Sequence, residues 1–306
     1  MQFNKNNFLN YHKISTIDAH TEGEPLRIIT DGYPEIKGNT ILEKRQYVTD
    51  NLDHFRQLLM FEPRGHADMY GALITKPCTS EATFGILFMH NEGYSSMCGH
   101  GIIAAVSVAI ESKALAMPKK DQIIGIDAPA GFIKAYAEKN AENKLAISFD
   151  NVPSFVEALN QQVNIPEFGP VNYDIAFGGA YYAFVDADEL NIACTPENNQ
   201  QLINVGRVIK HAVMASYNIN HPVEDDLSFL YGTIFIDNNK QVSGNDSRNV
   251  CIFAEGEVDR CPTGSGVSGR MAIHKLRNDI DFDETMTIES ITDSVFKGSV
   301  ISEEDY

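Results

Sequence analysis

The chain is short of positive charge and has no tryptophan. It carries 24 lysines and arginines against 42 aspartates and glutamates, which leaves a formal net charge of −18. Such a surface repels the phosphates of nucleic acids and the headgroups of anionic membranes. We therefore expect neither a nucleic-acid partner nor a membrane partner, and we look for the function in a small-molecule site.

Long apolar runs and paired cysteines are also missing. The most apolar stretch, residues 102–110, is interrupted by Ser107 and is far too short to cross a bilayer. The first residues, MQFNKNNFLNYHK, lack the apolar segment of a signal peptide. The five cysteines are an odd number with no CxxC pair, which indicates reduced thiols rather than a disulfide framework. We expect a cytoplasmic protein.

A nucleotide-binding sheet is not indicated. The chain contains no GxxxxGK[ST]; the GxGxxG spacing occurs once, from Gly264 to Gly269, but the strands and helices do not alternate as a βαβ unit requires. Neither a bound dinucleotide nor ATP is indicated.

The chain is long enough for two domains, and its organisation repeats. Its 306 residues, 43% of them apolar, can fill two sizeable cores. Two passages follow the same order: an amphipathic helix, two apolar strand-like runs, a glycine-bearing loop and a second helix. The first passage has a helix at 51–60, runs at 71–75 and 84–90, the loop SSMCGHG and a helix at 102–110. The second has a helix that begins after Thr195 and Pro196, runs at 229–236 and 250–254, the loop DRCPTGSG and a helix from about Val267.

The joint between the two halves is predicted where prolines interrupt the periodicity. Three prolines fall between Pro153 and Pro170. We expect a first α/β domain over residues 1–165, with residues 290–306 as a candidate addition to it, and a second α/β domain over residues 166–290. Further strand candidates lie at 13–18, 26–30, 146–149 and 181–185.

The first loop brings a cysteine to the start of a helix. A thiol there lies beside unpaired backbone N–H groups, which lower its pKa from about 8.5 and which also bind carboxylates. Gly99 and Gly101 would let a ligand approach the backbone closely. We expect Cys98 to be a reactive thiolate; the alternative is a small buried residue that caps a core helix.

The second loop, from Asp259 to Gly266, also opens a helix, so the two halves offer two anion-binding helix ends. An amino acid fits between them, with its ammonium group on Asp259. The alternative is a tight turn in which Thr263 caps the helix. We expect the carboxylate of the amino acid to lie on four backbone N–H groups, those of Gly99, His100, Gly264 and Ser265.

Five motifs resemble one known family over residues 13–300. They are DAHTEGEPLR from Asp18, EPRGHADM from Glu62, MCGHG from Met97, FGGA from Phe177, and the loop from Asp259. The resemblance is to the proline racemases, 4-hydroxyproline epimerases and trans-3-hydroxyproline dehydratases. It implies two pseudo-symmetric α/β domains of the diaminopimelate epimerase-like fold, each with strands wrapped round a central helix. It also implies an imino-acid substrate in the cleft between them, no cofactor and no metal.

One departure from the racemase pattern bears on the reaction. Racemases and epimerases of the family carry a second cysteine directly after the proline of the second loop, where this chain has Thr263. Racemisation needs a base and an acid on opposite faces of the α-carbon, and a hydroxyl does not exchange these roles at neutral pH. The resemblance therefore favours a lyase of amino-acid catabolism. We expect dehydration of trans-3-hydroxy-L-proline to Δ1-pyrroline-2-carboxylate, with Cys98 as catalytic base and Thr263 as the second catalytic residue.

Two alternatives stay open at this point. Cys261 could act as a displaced second acid, which would make the protein a proline racemase or a 4-hydroxyproline 2-epimerase. We interpret Cys261 instead as a replacement for the serine usual at that place, with its side chain turned away from the cleft by Pro262. A non-catalytic imino-acid-binding protein is the other alternative, and a homodimer is a candidate assembly.

The remaining assignments are smaller. The resemblance gives His100 a backbone N–H for the carboxylate and a ring near the substrate nitrogen, and it gives Asp259 the role of accepting from that nitrogen. The polar cluster of the first motif matches no common metal-site spacing and is interpreted as structural; its members are Asp18, His20, Thr21 and Arg27. Three cysteines are interpreted as core or strand residues: Cys78, Cys194 and Cys251.

Overall fold

A computed structural model describes residues 9–238 and 244–305. Within these ranges the chain forms two sheets of eight strands, and each sheet curls round one helix. No helix in the described ranges is long and apolar enough to cross a membrane. The ends of the predicted domain ranges, residues 1–8 and 306, lie outside the described residues.

The first sheet holds the strands β1 to β8. It runs in the order β1-β2-β3-β4-β6-β7-β8, and β5 pairs with β4. Helix α2 (Gly99–Glu111) packs against five strands of this sheet, whereas α1 (Ile41–Met60) packs against β4. The strands are β1 (Ser15–Thr21), β2 (Glu24–Asp31), β3 (Tyr70–Thr75), β4 (Phe84–His90), β5 (Tyr94–Ser95), β6 (Ile124–Ala128), β7 (Gly131–Lys139) and β8 (Leu145–Asp150).

The central strand β4 lies between the two helices, and all seven of its residues are buried. Its side chains alternate between two apolar clusters, as the two-residue period of a strand requires. Ile86 and Phe88 belong to the main core, which includes α2, whereas Leu87 and Met89 belong to the cluster that includes α1. A continuous apolar run is therefore the correct signature for this strand.

The second sheet repeats the plan. Its order is β16-β15-β13-β12-β11-β10-β9, and β14 pairs with β13. Helix α4 (Gly264–Arg277) lies inside the curled sheet, and α3 (Asn199–Ser216) packs on β12 and β13. The strands are β9 (Phe155–Ile165), β10 (Gly169–Phe177), β11 (Tyr181–Asp186), β12 (Leu230–Asp237), β13 (Ser247–Phe253), β14 (Glu257–Val258), β15 (Thr285–Glu289) and β16 (Val295–Ser299).

The predicted repeat is confirmed by the strand pairings. Strands β1 to β7 correspond one by one to β10 to β16, with the same sequence of antiparallel and parallel neighbours. In each half a helix, two strands and a loop precede the central helix. The fold is therefore α/β with two pseudo-symmetric halves, as expected.

The helices begin earlier than their apolar periodicity predicts. Helix α1 begins at Ile41 because Thr40 and Glu43 form a reciprocal capping box. Helices α2 and α4 begin at Gly99 and Gly264, so the loop glycines form their first turns. Glycine has low helix propensity, and the sequence pattern therefore placed these residues in the loops.

The strand assignments also move the expected joint. Strand β9 pairs with β10 and belongs to the second sheet, so the boundary lies between β8 and β9 rather than at 165. Apolar and polar residues do not alternate cleanly along β9. Its middle is polar, at Asn160, Gln161 and Gln162, and its pairing with β10 contains a register shift. For this reason the sequence pattern indicates a joint here rather than a strand. Among the described residues, the C-terminal strand β16 pairs with β15 of the second sheet and does not return to the first.

The two halves meet at the N-termini of their central helices. A β-carbon built on Gly99 would lie 2.8 Å from the Cα of Gly264, and a β-carbon built on Gly264 would lie 2.8 Å from the Cα of Gly99. The turn between β1 and β2 also reaches the second half: Ser294 Oγ donates to the carbonyl of Glu22, and Arg260 N donates to Glu24 Oε2 at 2.7 Å. These contacts join the two halves beside the cleft.

Gly99→Ala is expected to destabilise the protein because its new methyl group meets backbone rather than a movable side chain. Overpacking of this kind costs about 1–3 kcal/mol. The free energy of unfolding from urea titration measures the effect. Gly93→Ala is the control, because its β-carbon would meet no atom within 4 Å. Equal stability of the two variants would contradict the contact between the helix ends.

Candidate active site

Cys98 is the N-cap residue of α2. Its backbone is extended, and its Sγ accepts a hydrogen bond from the N–H of Gly101 at 3.2 Å, so the thiol occupies the place of a capping side chain. The Nδ1 atom of His100 lies 3.3 Å from the same sulfur. Thr21 on β1 fixes this turn from the other side by donating to the carbonyl of His100 at 2.9 Å. Cys98 is 5% exposed.

Asp259 organises the second loop. Its Oδ1 accepts from the backbone N–H of Cys261 at 3.0 Å, and its Oδ2 accepts from the hydroxyl of Thr263 at 2.7 Å. Thr263 occupies the N-cap position of α4, but its side chain makes no capping hydrogen bond. It has a φ of 65°, which is unusual for a β-branched residue. The Thr263 hydroxyl is therefore committed to Asp259 rather than to the helix.

A small cavity of about 300 Å³, including its opening to solvent, lies between the two loops. All seven residues predicted for the site line it: Cys98, Gly99, His100, Asp259, Thr263, Gly264 and Ser265. Cys261 is fully buried and is not among the lining residues, but its Sγ lies within 4.8 Å of ligand atoms of His100 and Asp259, which are. That its side chain is turned away from the cleft stays a prediction.

Seven further lining residues were not predicted. The hydroxyls of Tyr70 and Tyr231 lie 3.1 Å apart and connect the two halves across the cavity, and the Tyr182 hydroxyl lies 2.7 Å from Ser265 Oγ. Two of these residues could have been found from the repeat, because Tyr70 on β3 and Tyr231 on β12 lie on corresponding strands of the two halves. The full set is Glu24, Tyr70, Met97, Tyr182, Tyr231, Cys251 and Phe253.

In the motif from Asp18 to Arg27, some residues have structural contacts and one lines the cavity. Arg27 pairs with both carboxylate oxygens of Asp18 at 2.8 Å and also donates to the carbonyl of Leu59, which fits the structural role expected for this cluster. Glu24, in the same motif, instead lines the cavity. Its Oε2 accepts from Arg260, as described above, and its Oε1 has no hydrogen-bond partner among the described residues.

The expectation that Cys251 is a core or strand residue is confirmed, and the structure adds a second feature. It lies on β13 and is buried, as a strand residue should be, but it also lines the cavity and interacts with the side chain of Thr263. The sequence of β13 does not distinguish a cavity-lining residue from a core residue, because every residue of this strand is buried. All five cysteines are free thiols.

The expected lowering of the Cys98 pKa is wrong for the closed cavity. Burial raises the pKa of the thiol well above its ordinary value, and the nearby carboxyls of Asp259 and Glu24 add to the rise. The N–H of Gly101 acts in the other direction but does not outweigh burial. Burial similarly raises the pKa of Glu24, and it lowers the pKa of His100, so that the imidazole is neutral. The closed site therefore favours the protonated thiol.

The geometry suits a small zwitterion. The first N–H groups of α2 and α4 have no partners within their helices, so an anion can bind where the two helix ends meet. Asp259 and Glu24 offer acceptors for a cationic group in the same cavity. The fold and site together define an α/β protein of the diaminopimelate epimerase-like class, with a thiol and a hydroxyl at two equivalent helix ends.

The comparison with known families places the chain within that class. The family profile described as proline racemase matches residues 16–306. The chain belongs to the proline racemase family.

Individual relatives agree with this placement. A trans-3-hydroxy-L-proline dehydratase from Colwellia psychrerythraea is 51% identical, and the match covers 94% of this chain and 80% of the relative. A trans-L-3-hydroxyproline dehydratase from Xenopus tropicalis is 43% identical over 95% of this chain and 84% of the relative. A hydroxyproline epimerase structure from Agrobacterium vitis, with bound trans-4-hydroxy-L-proline, has a TM-score of 0.87 at 25% identity and covers 94% of this chain and 84% of its own.

Alkylation of Cys98 by iodoacetamide is expected to be slow at neutral pH and to accelerate as pH rises, because only the thiolate reacts. The midpoint should lie above the ordinary thiol value of about 8.5. Asp259→Asn should move the midpoint to lower pH, because it removes a negative neighbour. Peptide mass spectrometry measures the modification, with the half-buried Cys78 as internal reference. A midpoint below the ordinary value in the unsubstituted protein would contradict the effect of burial.

Proposed function

We propose that the protein is a hydro-lyase that converts trans-3-hydroxy-L-proline to Δ1-pyrroline-2-carboxylate and water without a cofactor. The observation that carries the proposal is the pair of residues at the two N-cap positions, Cys98 on α2 and Thr263 on α4. Only one of these two positions has a group that takes up and returns a proton near neutral pH. The names of the relatives from Colwellia and Xenopus support the same reaction.

The substrate fits with its charges matched. Its carboxylate lies on the backbone N–H groups of Gly99, His100, Gly264 and Ser265, where two helix ends converge. Its ring nitrogen donates to Asp259, with the neutral His100 ring close by. The positive charge of that nitrogen offsets the repulsion that Asp259 and Glu24 exert on the thiol. Substrate binding therefore favours the thiolate that the closed cavity alone disfavours.

The proposed reaction is a syn elimination. The hydroxyl of trans-3-hydroxy-L-proline is trans to the carboxylate, so it lies on the same ring face as the α-hydrogen. Cys98 removes the α-proton, the C–H electron pair forms the double bond to C3, and the C3–O bond breaks. The leaving oxygen takes the proton back from Cys98 and departs as water. The enamine that remains tautomerises to Δ1-pyrroline-2-carboxylate.

Thr263 acts as a positioning group in this scheme. Its hydroxyl already donates to Asp259, and it therefore holds the carboxylate that receives the ring nitrogen. No proton is needed from the opposite face of the substrate. The racemase or epimerase alternative would need Cys261 as the second acid, and the burial of Cys261 outside the cavity lining counts against it.

A cytoplasmic location is part of the proposal. It is supported by the five free thiols, a state that reducing compartments maintain. The homodimer stays a prediction.

Proton NMR in D2O tests the reaction with three compounds offered separately: trans-3-hydroxy-L-proline, trans-4-hydroxy-L-proline and L-proline. We expect loss of the first compound, with growth of the pyrroline product, and no change in the other two. Cys98→Ser should reduce turnover by at least about 100-fold, because it removes the general base. Cys261→Ser is the matched control and should keep turnover.

Three results would contradict the proposal. Deuterium entering the α-position of proline or 4-hydroxyproline, with inversion and with loss of this exchange in Cys261→Ser, would support the racemase or epimerase. Stoichiometric binding without turnover would support a binding protein. Near-full activity of Cys98→Ser would exclude the single-thiol mechanism.

A further inference from the structure

Three buried side chains beside the cavity form a compact set of metal ligands. One ligand atom each from His100, Asp259 and Cys261 lies within 4.8 Å of the others. All three residues are buried. Imidazole nitrogen, carboxylate oxygen and thiolate sulfur are the donors that Zn²⁺ accepts. No sequence spacing reveals the set, because His100 and the other two residues come from different halves of the fold.

Glu24 gives a second, independent indication at the same place. It is fully buried, lines the cavity, and has an Oε1 atom without a hydrogen-bond partner among the described residues. Its other oxygen accepts from the N–H of Arg260, the residue between Asp259 and Cys261 in the chain. Buried carboxylate oxygens are normally paired. The cavity that His100 and Asp259 line therefore also holds an unpaired acceptor, Glu24 Oε1, that a cation would satisfy if it came within reach.

We propose that His100, Asp259 and Cys261 form an inhibitory site for a thiophilic divalent cation such as Zn²⁺. Zn²⁺ ligands lie about 2.0–2.3 Å from the ion, so a cluster this compact closes round it by small side-chain movements. The carboxylate of Asp259 and the thiolate of Cys261 carry two negative charges, which balance the two positive charges of the ion. Hard cations such as Mg²⁺ prefer ligand sets made only of oxygen and bind poorly here.

The ion and the amino-acid substrate exclude each other. Asp259 is the acceptor for the substrate nitrogen and also a ligand of the ion, and His100 belongs to both sets. Competition with substrate rests on the proposed function, whereas binding of the ion does not. The site would therefore make the enzyme sensitive to free Zn²⁺ through Cys261, a side chain that the reaction itself does not use.

Direct binding is measured on the full chain, freed of metal and reduced. Isothermal titration with Zn²⁺ should give one site, and Co²⁺ should give the near-ultraviolet charge-transfer absorption of a thiolate ligand. Cys261→Ser should lose this absorption and bind Zn²⁺ at least about tenfold more weakly. Cys251→Ser is the matched control, since it removes another buried thiol that lines the cavity but lies outside the cluster. It should keep the absorption and the affinity.

Kinetics provide the second readout. Zn²⁺ should raise the KM for trans-3-hydroxy-L-proline without changing kcat, and Cys261→Ser should turn over substrate with at least about tenfold less sensitivity to Zn²⁺. If turnover is absent but the cobalt spectrum and its loss in Cys261→Ser are present, the proposed function fails and the metal site stands.

Four outcomes would overturn the metal site. They are the absence of one-to-one Zn²⁺ binding, equal binding of Mg²⁺, an unchanged cobalt spectrum in Cys261→Ser, and loss of the spectrum in Cys98→Ser with retention in Cys261→Ser. The last would place the ion on the catalytic thiol instead.

Discussion

The close approach of two glycines, Gly99 and Gly264, is the constraint on which the rest of the structure depends. Because neither has a side chain, the N-termini of α2 and α4 meet backbone to backbone, and the N–H groups of both helices point to one place. The two sheets curl round these helices and supply the tyrosines that close the cavity. The two helix ends, the thiol of Cys98 and Asp259 thereby line one small cavity.

The electrostatics of the cavity follow from that closure. Burial removes the water that would screen Glu24, Cys98 and Cys261 and raises the pKa of each, and the nearby carboxylate of Asp259 adds to the rise. A cation relieves this repulsion, whether it is a protonated ring nitrogen or a metal ion. The same excess of buried acidic groups thus supports both proposals, an amino-acid ligand and inhibition by a thiophilic metal.

The sequence predicted most of the candidate site because two loops carry recognisable motifs at matching places in a repeat. It did not predict Glu24, Tyr70, Tyr231 or Cys251, since their positions in the cavity depend on how the two halves face each other. Two expectations from local sequence are wrong. The helix end beside Cys98 predicts a lowered thiol pKa, but burial in the assembled fold raises it. The polar segment of β9 predicts a joint, because its pairing with β10 is visible only in three dimensions.

The turn between β1 and β2 closes one side of the cavity through Glu22 and Glu24. Such hydrogen bonds are each worth about 0.5–1.5 kcal/mol. In the proposed mechanism, a proton taken by the buried Cys98 has no bulk water to enter. Abstraction by one thiol, followed by return to the departing oxygen, would then make the water released with each product carry the hydrogen that began on the α-carbon.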